Sequence, residues 1–593
     1  MTAPVLARPA PRTLVLLVVA LLALALVAVL AADAAAGGNL VLRDAGAIAR
    51  HGAPVAALIA DLASALGLGG AVVAGWLLRD REDRIRALTA AAIAAGVATL
   101  GRAAALVLSY AVATGQPVGS PRFGSDLGVY LGTELGIWLV TALVLTAAAT
   151  TLALTGTSRG VARMLAAGLL LATFATAMTG HAAGDANHEA ATSTMLAHLL
   201  AVGLWLGGLG ALQLLPARSR DDAAVVRGYS HLALISWIML ALSGVWALAV
   251  RMNGPGDLLT SAYVQLGALK MLLLLLLGGL GWLQRRALAT GFDAGEEGRA
   301  AVTSYRRLAL LELALMGLAV ALAAAMSSSP PPADAGVPPE GTAGLLTGYP
   351  LPSAPTLLAV LTAWRPDPFG MMVACALLLW WWWPGSAARP RAATRRLLVG
   401  AALLVLLTSG PLNVYGKVLV SAHVLQHVLL LGTGVLLGTV PALTGPPGAL
   451  RRTLGRRPLL GALAAAAPVA LLAAAYASPF LRLALDGHAA HLVVQLLAAG
   501  GGVLLALCVR ATAPGRARLL VAAAPVLLLL AAGVTLLLTD HLMAASWFGA
   551  TGRTWFADAL ADQRRAGIGV LLTTGLGAIA AVLLARRNPR RAD

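Results

Sequence analysis

SAHVLQHVLLLGTGVLLGTV, residues 421–440, decides how this chain is to be read. Twenty residues pass without a single Asp, Glu, Lys or Arg. At about 1.5 Å per residue such a run crosses the roughly 30 Å hydrocarbon layer of a bilayer as one helix. The run nevertheless opens on His423 and His427, four residues apart and therefore on one helix face. Ionisable groups are costly inside lipid, and a span that keeps two at one end is expected to use them.

The same pattern extends in both directions. The chain has 593 residues, 59% of them hydrophobic and only 11% charged, where a soluble domain carries about 25% charged residues. Apolar runs predict an all-α, polytopic transmembrane protein of about sixteen spans. They lie near residues 12–32, 52–77, 87–113, 128–155, 161–180, 193–215, 229–251, 262–284, 304–326, 368–386, 395–412, 414–441, 458–476, 489–509, 517–538 and 566–586. The short alternating segments of an outer-membrane barrel are absent. The first run is longer than a signal-peptide h-region of about 7–15 residues, so it is expected to be an anchor.

Loop charge then sets the orientation. One set of loops and tails holds 31 Lys and Arg, including Arg79, Arg84, Arg285, Arg307, Arg451 and Arg586; the other set holds 10. The positive-inside rule puts both termini in the cytoplasm of a bacterial cell, with the chain a multi-pass protein of the plasma membrane. The formal charge of +18 sits in short loops, which argues for lipid and against nucleic acid as a partner. Cys375 and Cys508 fall toward opposite ends of their helices, so no disulfide is expected between them. The Pro-rich stretch at 327–367, opening on SSSPPP, divides the chain. It reads as an extracytoplasmic linker between a nine-helix module, 1–326, and a seven-helix module, 368–593.

In this topology nine of the ten histidines fall at or near the outer ends of spans, and only His231 lies near the opposite face. His423 and His427 can reach one ion from a single helix face. His488 and His491 form a second pair, three apart, and D-H-L-M at 540–543 adds His541 and the thioether of Met543. Imidazole with thioether and no thiolate favours copper, Cu(I) accepting Met readily and Cu(II) taking nitrogen. The same pairs could hydrogen-bond to backbone or line a water-filled cavity, and facing histidines could ligate haem axially.

The pieces SAHVLQH (421–427), HAAH (488–491) and DQRRAG (562–567) resemble the CtaG family of cytochrome c oxidase assembly factors, over roughly residues 355–590. The resemblance implies copper delivery to the oxidase, with His423, His427, His488 and His491 as ligands and Asp562 and Gln563 as motif residues. The family commonly has Met where this chain has Val424, and D-Q-Q-x-G-G where it has Arg564, Arg565 and Ala566.

In the first module, MTGHAAGDANH (178–188) brings His181, Asp185 and His188, and LAHLLAVGLWLGGL (196–209) brings His198. With SHLALISWIMLALSGV (230–245), LKMLLL (269–274) and the segment from Glu312 to Pro332, these resemble the CopD copper-resistance family. That implies copper movement across, or acceptance at, the membrane, with His181, His188 and His198 as a looser ligand set. Lys270 and Glu312 fit the family pattern as intramembrane ions, and Asp61, Arg102 and Glu134 are expected to be further polar groups inside spans.

These expectations describe a non-enzymatic copper handler whose partners are oxidase subunits or a periplasmic copper carrier. The alternatives are a haem-bearing electron-transfer protein and a metal-free oxidase assembly scaffold. With no G-x-x-x-x-G-K-[ST] and no H-E-x-x-H, neither nucleotide-driven nor zinc-protease chemistry is expected.

Overall fold

The computed structural model describes the backbone of all residues except 1–10, 37–43, 180–187, 217–221, 292–294, 328, 330, 333–338, 383–388, 441–442, 444–453, 455–456, 514 and 588–593. The protein is 82% helix, with no strands among the described residues. Among the described residues, sixteen helices of 15 residues or more overlap the expected apolar runs. Thirteen are long and apolar enough to cross a membrane, and Val18–Ala34 and Pro368–Trp382 are shorter apolar helices. Side chains such as Leu100, Leu463 and Leu519 are about 70% exposed, as expected of helices whose outer surface meets lipid and not water.

The chain divides into two units, at Gly336 and Val337. The first contains α1 (Pro11–Ala36), α2 (Ala47–Val72), α3 (Arg81–Thr114), α4 (Glu134–Ala153), α5 (Arg159–Ala177), α6 (His188–Gln213), α7 (Ala223–Ala249), α8 (Ala262–Gly291) and α9 (Gly295–Met326). At its centre α2 packs on α3, α5 and α6. Small residues allow this: a Cβ on Gly207 of α6 would fall inside the carbonyl of Ala65 on α2, so the two backbones touch directly.

The run expected as one span at 128–155 is broken. A short helix, Leu127–Leu131, stops, and α4 starts afresh after Thr133, whose hydroxyl accepts from the amide of Gly136. This is an N-cap inside an apolar stretch. Glu134 is therefore an exposed first-turn residue, at the favourable end of the helix dipole.

The second unit contains α10 (Pro368–Trp382), α11 (Arg391–Ser409), α12 (Val420–Gly438), α13 (Pro458–Tyr476), α14 (His488–Ala511), α15 (Arg516–Leu538) and α16 (Ala559–Arg587). α12 packs against α11, α14 and α16, while α13 and α15 close the other side. Much of the segment read as linker belongs to this unit. Gly341–Thr347 and Leu357–Thr362 are short helices; Tyr415 donates to the carbonyl of Ser353 at 3.0 Å, and Arg365 stacks on Tyr349 at 3.4 Å. Its prolines end helices without preventing the pieces between them from packing.

Candidate metal centre

Three histidines meet at one end of the second unit. His423 and His427 lie one turn apart on α12, their ring centroids 4.7 Å apart. His491, one turn into α14, stands 5.6 Å from the first and 5.5 Å from the second. One nitrogen from each lies within 4.8 Å of the others, and all three residues are buried.

The backbone sets this convergence. A Cβ on Gly434 would fall inside the carbonyl of Ala499, and one on Gly502 inside the carbonyl of Leu431. With side chains removed at the crossing, α12 and α14 approach closely enough for His491 to face the α12 pair. The first turn of α12 is finished from elsewhere. Leu419 offers no capping side chain, and Asp562 at the start of α16 takes that role. It accepts from the Ser421 hydroxyl at 2.6 Å and the Ser421 amide at 3.2 Å, as a capping carboxylate does.

The neighbouring motif residue pins the loop beyond α15. Gln563 accepts from the amide of Met543 and donates to the carbonyl of His541. Arg553 braces the same region, donating to the carbonyls of Val418, Phe548 and Phe556. Burial pushes its guanidinium below the ordinary arginine value, and the carboxylate of Asp562 opposes that shift.

The hydrogen bonds select which nitrogens face the centre. The Tyr476 hydroxyl, at the end of α13, lies 2.7 Å from Nδ1 of His427 and donates to the carbonyl of His423 at 3.3 Å. A carbonyl can only accept, so both contacts are hydrogen bonds when Nδ1–H of His427 donates to the phenol. The lone pair of that imidazole is then on Nε2. Nε2 of His427 and Nε2 of His423 are both buried without a hydrogen-bond partner, a costly state for a polar atom unless something else satisfies it. Gln495, one turn after His491, holds that ring from its Nε2 side at 2.9 Å.

Two orphaned imidazole nitrogens and a third imidazole within reach fit a copper ion. Metal–nitrogen bonds of about 2.0–2.1 Å need only small ring movements from this spacing. No carboxylate or thiolate joins the group among the described residues. The two α12 rings, and His427 with His491, contact edge to face, and His423 and His491 are tilted at 45°.

The remaining expected ligands are distributed otherwise. His488 is half-buried at the start of α14 and is not among the three that converge. The His541 side chain is exposed, and Met543 packs beside Val424, Trp547 and Phe548 in an apolar cluster. Tyr476, Ser421 and Gln495 were not singled out in the sequence. A tyrosine ending an apolar span reads as an ordinary interfacial aromatic, and only the fold reveals its second role.

In the first unit, Asp61, Arg102, His198 and Lys270 line one cavity of about 360 Å³, together with Met195 and Met326. Nδ1 of His198 lies 3.0 Å from the Ser243 hydroxyl, which itself donates to the carbonyl of Leu240. Glu312 does not line this cavity; it is buried beside Gln284 and Arg285, apart from Lys270. His181 and Asp185 lie outside the described residues, and His188 is the first residue of α6 with its side chain also outside them.

Two families match the chain. Residues 223–326 match the model for copper resistance protein D, and residues 376–588 match that for the cytochrome c oxidase caa3 assembly factor. No curated protein and no solved structure matches it. Both matches fall on one chain, in separate units.

Proposed function

We propose that this fusion of a CopD-type segment with a caa3-assembly-type module receives copper and presents it to a cytochrome c oxidase during assembly. Copper resistance or transport and oxidase assembly are the activities the two families carry. His423, His427 and His491 would hold the ion, which is cargo and not a resident cofactor. The observation that carries this reading is the pair of buried, unpartnered Nε2 atoms facing a third imidazole.

The charge distribution of the loops argues that this end of the bundle faces outward, where an oxidase subunit or a soluble carrier could exchange the metal. Three neutral nitrogens suit Cu(I). Tyr476 keeps His427 in the tautomer that donates through Nε2, as groups around a metal ligand commonly do. Transfer is then ligand exchange: an incoming ligand on the partner replaces one imidazole at a time, and no bond in the protein is made or broken. The site performs no catalysis in this scheme. The CopD-type segment would serve the same traffic.

The test is copper content. Full-length protein, purified in detergent, is incubated with Cu(I) under reducing conditions, desalted and assayed for metal. The expected result is bound copper that His423→Ala with His427→Ala removes from the second unit. Retention of all copper by that variant overturns the assignment. Absence of both copper and iron from the intact protein would favour a metal-free assembly scaffold.

A further inference from the structure

The cavity of the first unit contains more positive charge than its own residues answer. Arg102 reaches it from α3, Lys270 from α8 and Arg251 from just beyond α7, against the single carboxylate of Asp61 on α2. No ion pair joins Asp61 to these cations among the described residues. Arg102 directs Nη1 to the Thr176 hydroxyl at 2.6 Å and Nη2 to that of Ser64 at 3.1 Å, while its Nε is buried without a partner. Further hydroxyls, on Thr173 and Thr179, line the same space. Charges inside a membrane protein are paired or face something that answers them. Here the deficit is negative.

We propose that this cavity binds a small organic anion, its carboxylate held between Arg102 and Lys270. A guanidinium offers a planar set of donors that matches a carboxylate, and the ammonium adds a point charge. Beyond His198, Tyr263 and Ser327 the lining is largely apolar, including Leu68, Leu206 and Met271, and suits a carbon skeleton better than a hydrated inorganic ion. The three cations disfavour a bare copper ion in the same place. This site is thus different in kind from the three-histidine centre and does not depend on it. A free carboxylate and a carboxylate that already chelates copper share the chemistry recognised here.

The experiment is isothermal titration calorimetry of the full-length protein in detergent, in a carboxylate-free buffer of constant ionic strength. Citrate is the probe and uncharged glycerol the control. Saturable citrate binding is expected, with none for glycerol. Lys270→Met should weaken it at least about tenfold and Lys270→Arg should largely restore it, while His423→Ala with His427→Ala leaves it intact. Should Lys270→Met fail to fold, saturable elevation of the wild-type unfolding temperature by citrate but not glycerol gives the same answer. Copper(II)–citrate binding more tightly than citrate identifies a chelate as the occupant, and equal or weaker binding identifies the free anion. No saturable binding of citrate, or equal citrate binding by wild type and Lys270→Met, overturns the proposal.

Discussion

The two units bury polar groups in opposite ways. The second gathers three imidazoles from two helices, with hydrogen bonds that fix the orientation of two of them. The first spreads three cations and a carboxylate over four segments of chain around open space. A cluster of neutral lone pairs is built for a cation; a cavity with excess positive charge is built for the reverse. Both are expensive to place in a bilayer. On the two proposals made above, one chain carrying two families' marks would hold two binding chemistries without repeating one site.

Several substitutions can break or sharpen this contrast. The largest effect is expected from replacing His423 and His427 together by alanine: competition with a Cu(I) chelator should show affinity in the second unit lowered at least about a hundredfold, since two of three ligands are gone.

Tyr476→Phe removes the partner of His427 Nδ1 while keeping the ring, and should cost about tenfold in affinity, in line with other outer-shell losses at metal sites. An unchanged value would show that packing alone orients His427. Asp562→Asn keeps the shape of the cap on α12 but removes its charge. A thermal unfolding scan should register a loss of no more than about 1 kcal/mol, with a few-fold loss of copper affinity. Last, His541→Ala should change copper affinity by less than about twofold, because that side chain is exposed and only its backbone is engaged. A large effect there would move the centre toward the loop.

What could be read from the sequence follows the same division. The helices were legible because apolar length alone defines a span, and α12 falls within a few residues of its expected limits. His423 and His427 were legible because a spacing of four places them on one face whatever surrounds the helix. His491 was legible with His488 as a pair three apart, and its selection over His488 required the crossing at Gly434 and Gly502. In the first unit each charge was visible alone, yet nothing local predicts that Asp61, Arg102 and Lys270 share a cavity while Glu312 does not. Chain order carries no direct record of which helices adjoin. The break before Glu134 was missed for a simpler reason: Thr133 is one polar residue in an apolar stretch, and hydropathy averages it away.

One contact also has a temporal meaning. The helix bearing two of the imidazoles is capped by a carboxylate 141 residues further along the chain. A ribosome at work on α13 has already released both histidines, but not the residue that secures their helix. Until α16 enters the membrane the nest is unlatched, and a chain cut short before Ala559 lacks the latch altogether. Under the proposed function, metal loading would in this way be tied to completion of the polypeptide, and an unfinished protein would hold its cargo less firmly than a finished one.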